Sequence, residues 1–359
     1  MLLVLTIVFV GCSSEQLKDE QTEPFIVVNG NVEVISEEVI AENLEIPWSI
    51  SKINNTFYVT ERNGSIVKVN DGQVIRESLN LIEPVLSIGE GGLLGLELHP
   101  DFENNHLAFV YHTYGTENDV KNRVVLVEKL ENAWQEREVL LDNIKGARIH
   151  NGGRIKIGPD NKLYVTTGDA ADTSFSQERD DLAGSILRMN LDGSIPADNP
   201  FPNSYVYTYG HRNPQGLAWD GSNNVMYASE HGPSGRDEIN IIESGENYGW
   251  PIITGDEKQE GMVSPLFHSG GDTWAPSGMV VKDGTLYVAG LRGNNVYAFD
   301  IEKKTVQEIY NGVGRIRDVH LSEDGIYIIT NNTDGRGILT PGDDKLIHLK
   351  IGTSFKINK

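Results

Sequence analysis

The chain has 359 residues, 38% of them hydrophobic and 23% charged, which is the composition of a folded globular protein long enough to bury a sizeable core. Thirty Lys and Arg stand against 52 Asp and Glu, a net charge of −22 that excludes a nucleic-acid backbone as partner, because phosphate binding needs a basic footprint. A small anionic ligand held by a few local arginines is not excluded. The 38 glycines are enough for many turns and many short strands.

The N-terminus opens on a short apolar run, LLVLTIVFV at residues 2–10. It falls short of the ~20 residues that span a membrane but has the length of a signal-peptide core. It ends in Val10-Gly11-Cys12-Ser13, which resembles the lipobox of bacterial lipoproteins. Residues 1–11 are therefore expected to be a signal peptide, with export and lipid anchoring at Cys12 facing the periplasm or the cell exterior. Cys12 is the single cysteine, so disulfides, catalytic thiols and thiolate metal sites are not expected. The polar stretch that follows, within 12–40, reads as a tether. Residues 25–35 (FIVVNGNVEVI) are a candidate strand that closes the first repeat on the last.

From residue 41 to the end a two-strand unit recurs six times: PWSISKINNTFYVT, GLLGLELHPDFENNHLAFVYHT, GGRIKIGPDNKLYVTTG, PQGLAWDGSNNVMYASE, PSGMVVKDGTLYVAG and IRDVHLSEDGIYIITN. Each copy carries an aromatic marker in its second strand: Tyr58, Phe109, Tyr164, Tyr227, Tyr287 and Tyr327. Third strands such as SIVKVN and NVYAFDI follow most copies. Repeats of roughly 40–60 residues with about four strands each predict a β-propeller, because so small a sheet cannot cover both its faces alone. The expected fold is all-β, a six-bladed β-propeller with four-stranded antiparallel blades over residues 41–359.

Chain reversal then sorts the loops. In an antiparallel meander the first and third turns lie on one face, and the second turn and the inter-blade connection lie on the other. The first turns are bland. The opposite rim collects Glu90, His150, Arg212, Asn213, His231, Gly232, Pro233, Arg292, Arg315, Arg317 and Asn331. That is a cationic funnel on an acidic protein, suited to a small polyanion. His150 precedes a Gly-Gly pair, which leaves room for a ligand beside a potential general base.

GEGGLLGLELHPDF, HNGGRIKIGPDNKLYVTTGD, DGSIPADNPF, YGHRNPQGLAWD and SEHGPSGRDEINIIESGENYGWP together resemble the pyrroloquinoline quinone (PQQ)-dependent sugar dehydrogenases, the glucose/sorbosone dehydrogenase family, over about residues 41–350. The resemblance implies His150 as the base that takes the proton of the anomeric hydroxyl while hydride passes to PQQ. It implies Arg212 beside the quinone oxygens with Asn213 as its cofactor-binding neighbour, and Glu90, Arg292, Arg315, Arg317 and Asn331 as further cofactor positions. It implies Gly232 and Pro233 as carbonyl ligands of an active-site Ca²⁺, and Glu238 with the Tyr248 carbonyl as ligands of a second, structural Ca²⁺. Glu90 stands where the soluble glucose dehydrogenases have Gln, and keeps an acceptor for the imidazole. Ile149, Arg292 and Asn331 replace an acidic residue, a lysine and an aspartate. These departures and the short inter-blade loops resemble the aldose sugar dehydrogenase branch. The expected activity is oxidation of aldoses to lactones, with electrons passed to an external quinone, cytochrome or dye. The membrane is involved only through the lipid anchor. A catalytically silent propeller that binds a sugar or a protein, and a calcium-dependent lactonase, are the alternative readings.

Overall fold

The structure is a computed structural model that describes residues 32–221 and 224–353. The apolar run at 2–10, Cys12 and residues 25–31 of the candidate closing strand lie outside the described residues. No helix among the described residues is long and apolar enough to cross a membrane.

The described chain is all-β and built from four-stranded antiparallel units. Unit 1 is Pro47–Ile53, Thr56–Glu61, Ser65–Asn70 and Gln73–Asn80. Unit 2 is Leu93–Leu98, Leu107–Thr116, Asp119–Lys129 and Ala133–Lys145. Parallel pairing of Ser78 with Ala133 and Asn80 with Gln135 joins these two into one eight-stranded sheet. Unit 3 is Ile155–Ile157, Leu163–Thr166, Ser185–Met189 and Val206–Tyr209, and unit 4 is Pro214–Asp220, Val225–Glu230, Glu238–Ile242 and Phe267–His268. Unit 5 is Pro276–Lys282, Thr285–Gly290, Asn295–Asp300 and Thr305–Asn311. Unit 6 takes three strands from the C-terminal end, Ile316–Leu321, Gly325–Thr330 and Leu346–Thr353, and its outermost strand, Val32–Ala41, from the N-terminal end. The described part of the closing strand overlaps the predicted 25–35 segment and extends six residues beyond it.

Strand periodicity explains how the units hold together. Along Thr56–Glu61, Phe57 and Val59 point into the cluster shared with Ile329 and Leu346 of unit 6. Tyr58, between them, points the other way, into the cluster shared with Leu93 and Val110 of unit 2. The other aromatic markers behave like Tyr58. Phe109 packs with Ile155 and Leu163 of unit 3, Tyr164 with Leu217 and Met226 of unit 4, and Tyr227 with Met279 and Val288 of unit 5. Tyr287 packs with Ile316 and Ile328 of unit 6, and Tyr327 closes the cycle against the unit 1 cluster. Each marker therefore covers the gap between its own sheet and the next, so the apolar core is divided among the six gaps. Fully burying one such ring is worth about 1.5–3 kcal/mol.

The first strands line the inside of this cycle, where the core is charged. Arg154 Nη1 lies 2.9 Å from Asp318 Oδ2, and the same oxygen accepts the Ile50 amide at 2.8 Å. Arg154 Nε donates to the Gln215 carbonyl at 2.9 Å, and the guanidinium lies over the Trp48 ring, 4.3 Å from its centroid. This one ion pair ties together residues from units 1, 4 and 6 and the entry to unit 3.

Candidate active site

One mouth of this inner channel opens into a cavity of about 450 Å³. Its wall includes Glu90, His150, Arg212, Asn213, His231, Gly232, Pro233, Arg292, Arg315 and Arg317, and Trp48 forms part of its floor. Residues from the connections of units 1 to 6 thus converge on one space, as the alternation of turns requires. Asn331 is not on the wall. It lies behind it, where its Oδ1 accepts from Arg317 Nη2 at 3.1 Å and its Nδ2 holds the Pro47 carbonyl at 3.1 Å. Glu238 and Tyr248 are also off this wall. They line a small adjoining cavity with Glu230, Trp250 and Thr254.

His150 sits at φ +59°, a left-handed conformation unusual for a residue with a side chain. The conformation directs its amide to Glu90 Oε2 at 3.1 Å and its ring to Asp169, with Nδ1 2.7 Å from Oδ1. The expectation that Glu90 receives the imidazole is corrected here: Glu90 holds the backbone of His150, and Asp169 holds the ring. The turn is packed too closely for anything larger than glycine opposite it, since a Cβ on Gly168 would meet the His150 carbonyl at 2.0 Å. A carboxylate at Nδ1 selects the Nδ1–H tautomer and leaves Nε2 as the basic nitrogen facing the cavity. Asp169 is buried, and its other oxygen accepts Trp250 Nε1–H at 2.9 Å.

Burial alone would raise the Glu90 carboxyl. His231, the His150 amide and Arg336 outweigh it and hold the group at about 2. Arg336 comes from the long connection of unit 6 and reaches Glu90 Oε1 at 3.0 Å. Burial pushes the His231 imidazole down to about 4 against the pull of Asp237 and Glu90, so the ring is neutral near pH 7.

The arginines differ in what holds them. Arg292 is exposed at the rim. Arg315 pairs with the buried Asp334 at 3.1 Å. Arg317, only 3% exposed, is held by Gln215 Oε1 at 2.8 Å, by Asn331 and by Ser277, all neutral. No carboxylate lies within ion-pair distance of it among the described residues, and burial together with Arg315 lowers its pKa well below the usual arginine range. A buried cation without a counter-ion is costly, and an anion entering the cavity relieves that cost. Arg212 stands over the Trp250 ring at 5.3 Å, with its amide on Glu230 Oε1 and its Nη1 3.1 Å from the His231 carbonyl. Arg212 Nε, Asn213 Nδ2, His231 Nε2 and Arg315 Nε are all buried without a hydrogen-bond partner, and all four belong to the cavity wall. Buried polar atoms are normally satisfied, so this cluster marks a space shaped for a polar, anionic, multiply hydrogen-bonding group. PQQ, a planar tricarboxylate with quinone oxygens, has that chemistry.

The two expected calcium sites fall in different cavities. Gly232 and Pro233 lie on the cavity wall, and backbone carbonyls are oxygen donors of the kind Ca²⁺ takes. No group of three or more His, Cys, Asp or Glu side chains forms a metal cage among the described residues. In the adjoining cavity, burial, with Glu230 adding to it, pushes the Glu238 carboxyl up to about 8, so that carboxylate favours a positive neighbour.

A second cavity of similar volume lies on the opposite side, between units 3 and 4, lined by Asp160, Tyr164, Arg188, Tyr207 and Trp219. Its Arg188 is matched by Asp160 at 2.8 Å and Asp198 at 2.9 Å. Its one arginine is thus neutralised in place, and no histidine is among its lining residues.

Sequence reasoning missed the roles of Asp169, Trp250, Arg336 and Asp334. Asp169 was visible as a rim residue, three positions beyond a strand end. The other three sit in long connections with no repeat pattern to place them.

The chain is 36% identical to the PQQ-bound aldose sugar dehydrogenase of Streptomyces coelicolor, whose structure superposes with a TM-score of 0.83 over 89% of this chain and 98% of that one. It is 30% identical to the aldose sugar dehydrogenase YliI of Escherichia coli, over 84% of this chain and 91% of that protein. It is 35% identical to quinoprotein glucose dehydrogenase B of Acinetobacter calcoaceticus, over 64% of this chain and 55% of that protein. The pattern of the Glucose / Sorbosone dehydrogenase family matches residues 44–340. The chain belongs to the glucose/sorbosone dehydrogenase family.

Proposed function

We propose that this protein is a PQQ- and Ca²⁺-dependent aldose dehydrogenase on a six-bladed β-propeller, oxidising sugars at the anomeric carbon to lactones. The observation that carries the reading is the pairing, in one cavity, of the His150–Asp169 dyad with Arg317, a buried cation that lacks a carboxylate. The cyclic packing of the units supports the propeller.

His150 Nε2 takes the proton of the anomeric hydroxyl, and Asp169 stabilises the imidazolium that forms. PQQ, when bound, would supply a quinone as the two-electron acceptor, which balances the oxidation of the sugar. Arg212 and Asn213 each bring a buried, unpaired N–H to the cavity wall, and these would stabilise negative charge growing on the reduced cofactor. Arg315, Arg317 and the rim Arg292 hold carboxylates, with Asn331 bracing Arg317 from behind. Glu90 braces the His150 backbone. Gly232 and Pro233 would hold Ca²⁺ through carbonyl oxygens, and the ion would add Lewis-acid polarisation at that wall. Glu238 and the Tyr248 carbonyl would hold a second, structural Ca²⁺. Electrons leave to an external acceptor of quinone, cytochrome or dye type. We also propose export, cleavage after residue 11 and lipid anchoring at Cys12, with 41–359 as the catalytic domain. This rests on the lipobox-like sequence.

The test is reconstitution. Cofactor-free chain receiving PQQ and Ca²⁺ together gains dye-linked oxidation of at least one aldose, and loses it on calcium chelation. No gain with any aldose overturns the reading.

A further inference from the structure

We propose that Trp250 is a positioning residue that fixes the base dyad and Arg212 as one rigid unit; the proposal rests on the reading of His150 as the base. Trp250 lies in the connection between the third and fourth strands of unit 4, far in sequence from the residues it serves. Its Nε1–H donates to Asp169 Oδ2 at 2.9 Å. Oδ1 of the same carboxylate is taken by His150 Nδ1 at 2.7 Å and the Ala171 amide at 2.9 Å. Both oxygens of a buried carboxylate are thus committed, so the group cannot rotate without losing a partner. The opposite function of the indole is its face. Arg212 Cζ lies 5.3 Å from the ring centroid, and the Arg212 carbonyl accepts the Asp169 amide at 2.8 Å. Base, carboxylate, indole and guanidinium therefore form a closed set of contacts.

The indole is itself anchored at both backbone ends. Its amide donates to the Gly210 carbonyl at 2.9 Å, two residues before Arg212, and its carbonyl accepts Gln177 Nε2 at 2.7 Å. Gln177 in turn exchanges hydrogen bonds with Asn247 at 2.9 and 3.1 Å. A side chain held this way transmits orientation rather than merely filling space. Removing the N–H leaves Asp169 Oδ2 buried and unpaired, free to pull the imidazole away from its tautomer and direction. Removing the ring face releases Arg212.

The two contacts separate by substitution. In the reconstituted holoenzyme, Trp250→Phe keeps a ring face and deletes the donor. It lowers kcat by roughly 10- to 100-fold, with PQQ affinity changed by no more than about twofold. Trp250→Leu deletes both and also weakens PQQ by about fivefold. In the full-length cofactor-free chain, ¹⁵N-resolved NMR shows the Nδ1–H tautomer of His150 in the parent and a mixture in Trp250→Phe. Should the Phe variant not fold, Asp169→Asn provides the reciprocal test, because the indole N–H resonance of Trp250 must then shift. Parental kcat and tautomer in Trp250→Phe, equal losses of kcat and PQQ affinity in that variant, or an unmoved indole resonance in Asp169→Asn each overturn the proposal. A parent with no PQQ-dependent turnover overturns the functional reading instead, and the two NMR measurements still decide the placement of Trp250.

Discussion

Arg336 Nη1 lies 3.0 Å from Glu90 Oε1, so a loop of the last unit grips the residue that holds the His150 amide. The same guanidinium donates from Nε to Asp334 Oδ2 at 3.1 Å, and Asp334 also pairs with Arg315. Arg62 of unit 1 meanwhile donates to the Gly89 and Gly91 carbonyls on either side of Glu90. The loop under the base is thus tied to both neighbours of the ring's closing point.

Acid stability follows from Glu90. Burial works to raise its pKa, but His231, the His150 amide and Arg336 hold it at about 2, below the ordinary 4.5. A depressed carboxylate contributes stability that is complete above about pH 4.5 and is lost as pH falls toward 2. His231 is neutral above about pH 4, so the share that persists at neutral pH comes from the amide and Arg336. Glu90→Gln is expected to cost on the order of 1–2 kcal/mol at pH 7. Thermal unfolding of parent and variant should converge between pH 4.5 and 2; curves that stay parallel through that window refute the assignment.

The base dyad gives the second prediction. Asp169→Asn keeps the shape at Nδ1 but allows the amide to donate, which favours the wrong imidazole tautomer. With PQQ and Ca²⁺ present, kcat should fall by about 10²–10⁴-fold. PQQ affinity, read by absorbance titration, should hardly move. His150→Ala should abolish turnover with a similarly small effect on binding. A variant at Asp169 with more than about half of parental kcat would remove the dyad from the chemistry.

How much of this was legible beforehand depends on the range of the contacts. The aromatic markers from Tyr58 to Tyr327 were readable because each recurs at a fixed place in a repeated unit, and each packs across the same kind of gap. Alternation of turns brought His150, Arg212, Arg315 and Arg317 to one mouth without knowledge of any distance. What alternation cannot supply is radial depth or partner choice. Arg154 sits inside a strand entry, and its pairing with Asp318 exists only once unit 3 faces unit 6 across the channel. Asn331 was placed on the correct rim but one layer too far inward, because a side chain's role as brace or wall depends on what stands in front of it. Glu90 was read as a partner of the imidazole because the positive φ of His150, which swaps ring and amide, leaves no trace in residue type.

Arg317 supplies the third prediction, which separates binding from stability. Arg317→Gln removes a buried charge but keeps an amide donor for Asn331. A charge-assisted contact to a cofactor carboxylate is worth about 1.5–3 kcal/mol, so the PQQ dissociation constant should rise roughly 10- to 100-fold. The cofactor-free chain should melt no lower than the parent, because its buried cation had only neutral partners to lose. A large drop in the melting temperature of the cofactor-free variant with unchanged PQQ affinity would make Arg317 a structural residue.

The last prediction concerns the channel itself. Asp318 accepts from Arg154 Nη1 and from the Ile50 amide, and a Cβ on Gly278 would meet its Oδ1 at 1.7 Å, so the carboxylate is enclosed by units 1, 3 and 5. Arg154 depends on it heavily, since Arg154 Nη2 is already buried without a partner. Asp318→Asn therefore leaves an uncompensated guanidinium at the centre of the ring and should destabilise the fold by about 3–5 kcal/mol. Arg154→Met in the same background removes that charge, and the double variant should recover part of the loss in denaturant unfolding. If the two substitutions instead add, the residues do not act as a pair. If they compensate, the axial ion pair fixes how the six units meet, while the gaps between them supply most of the apolar burial.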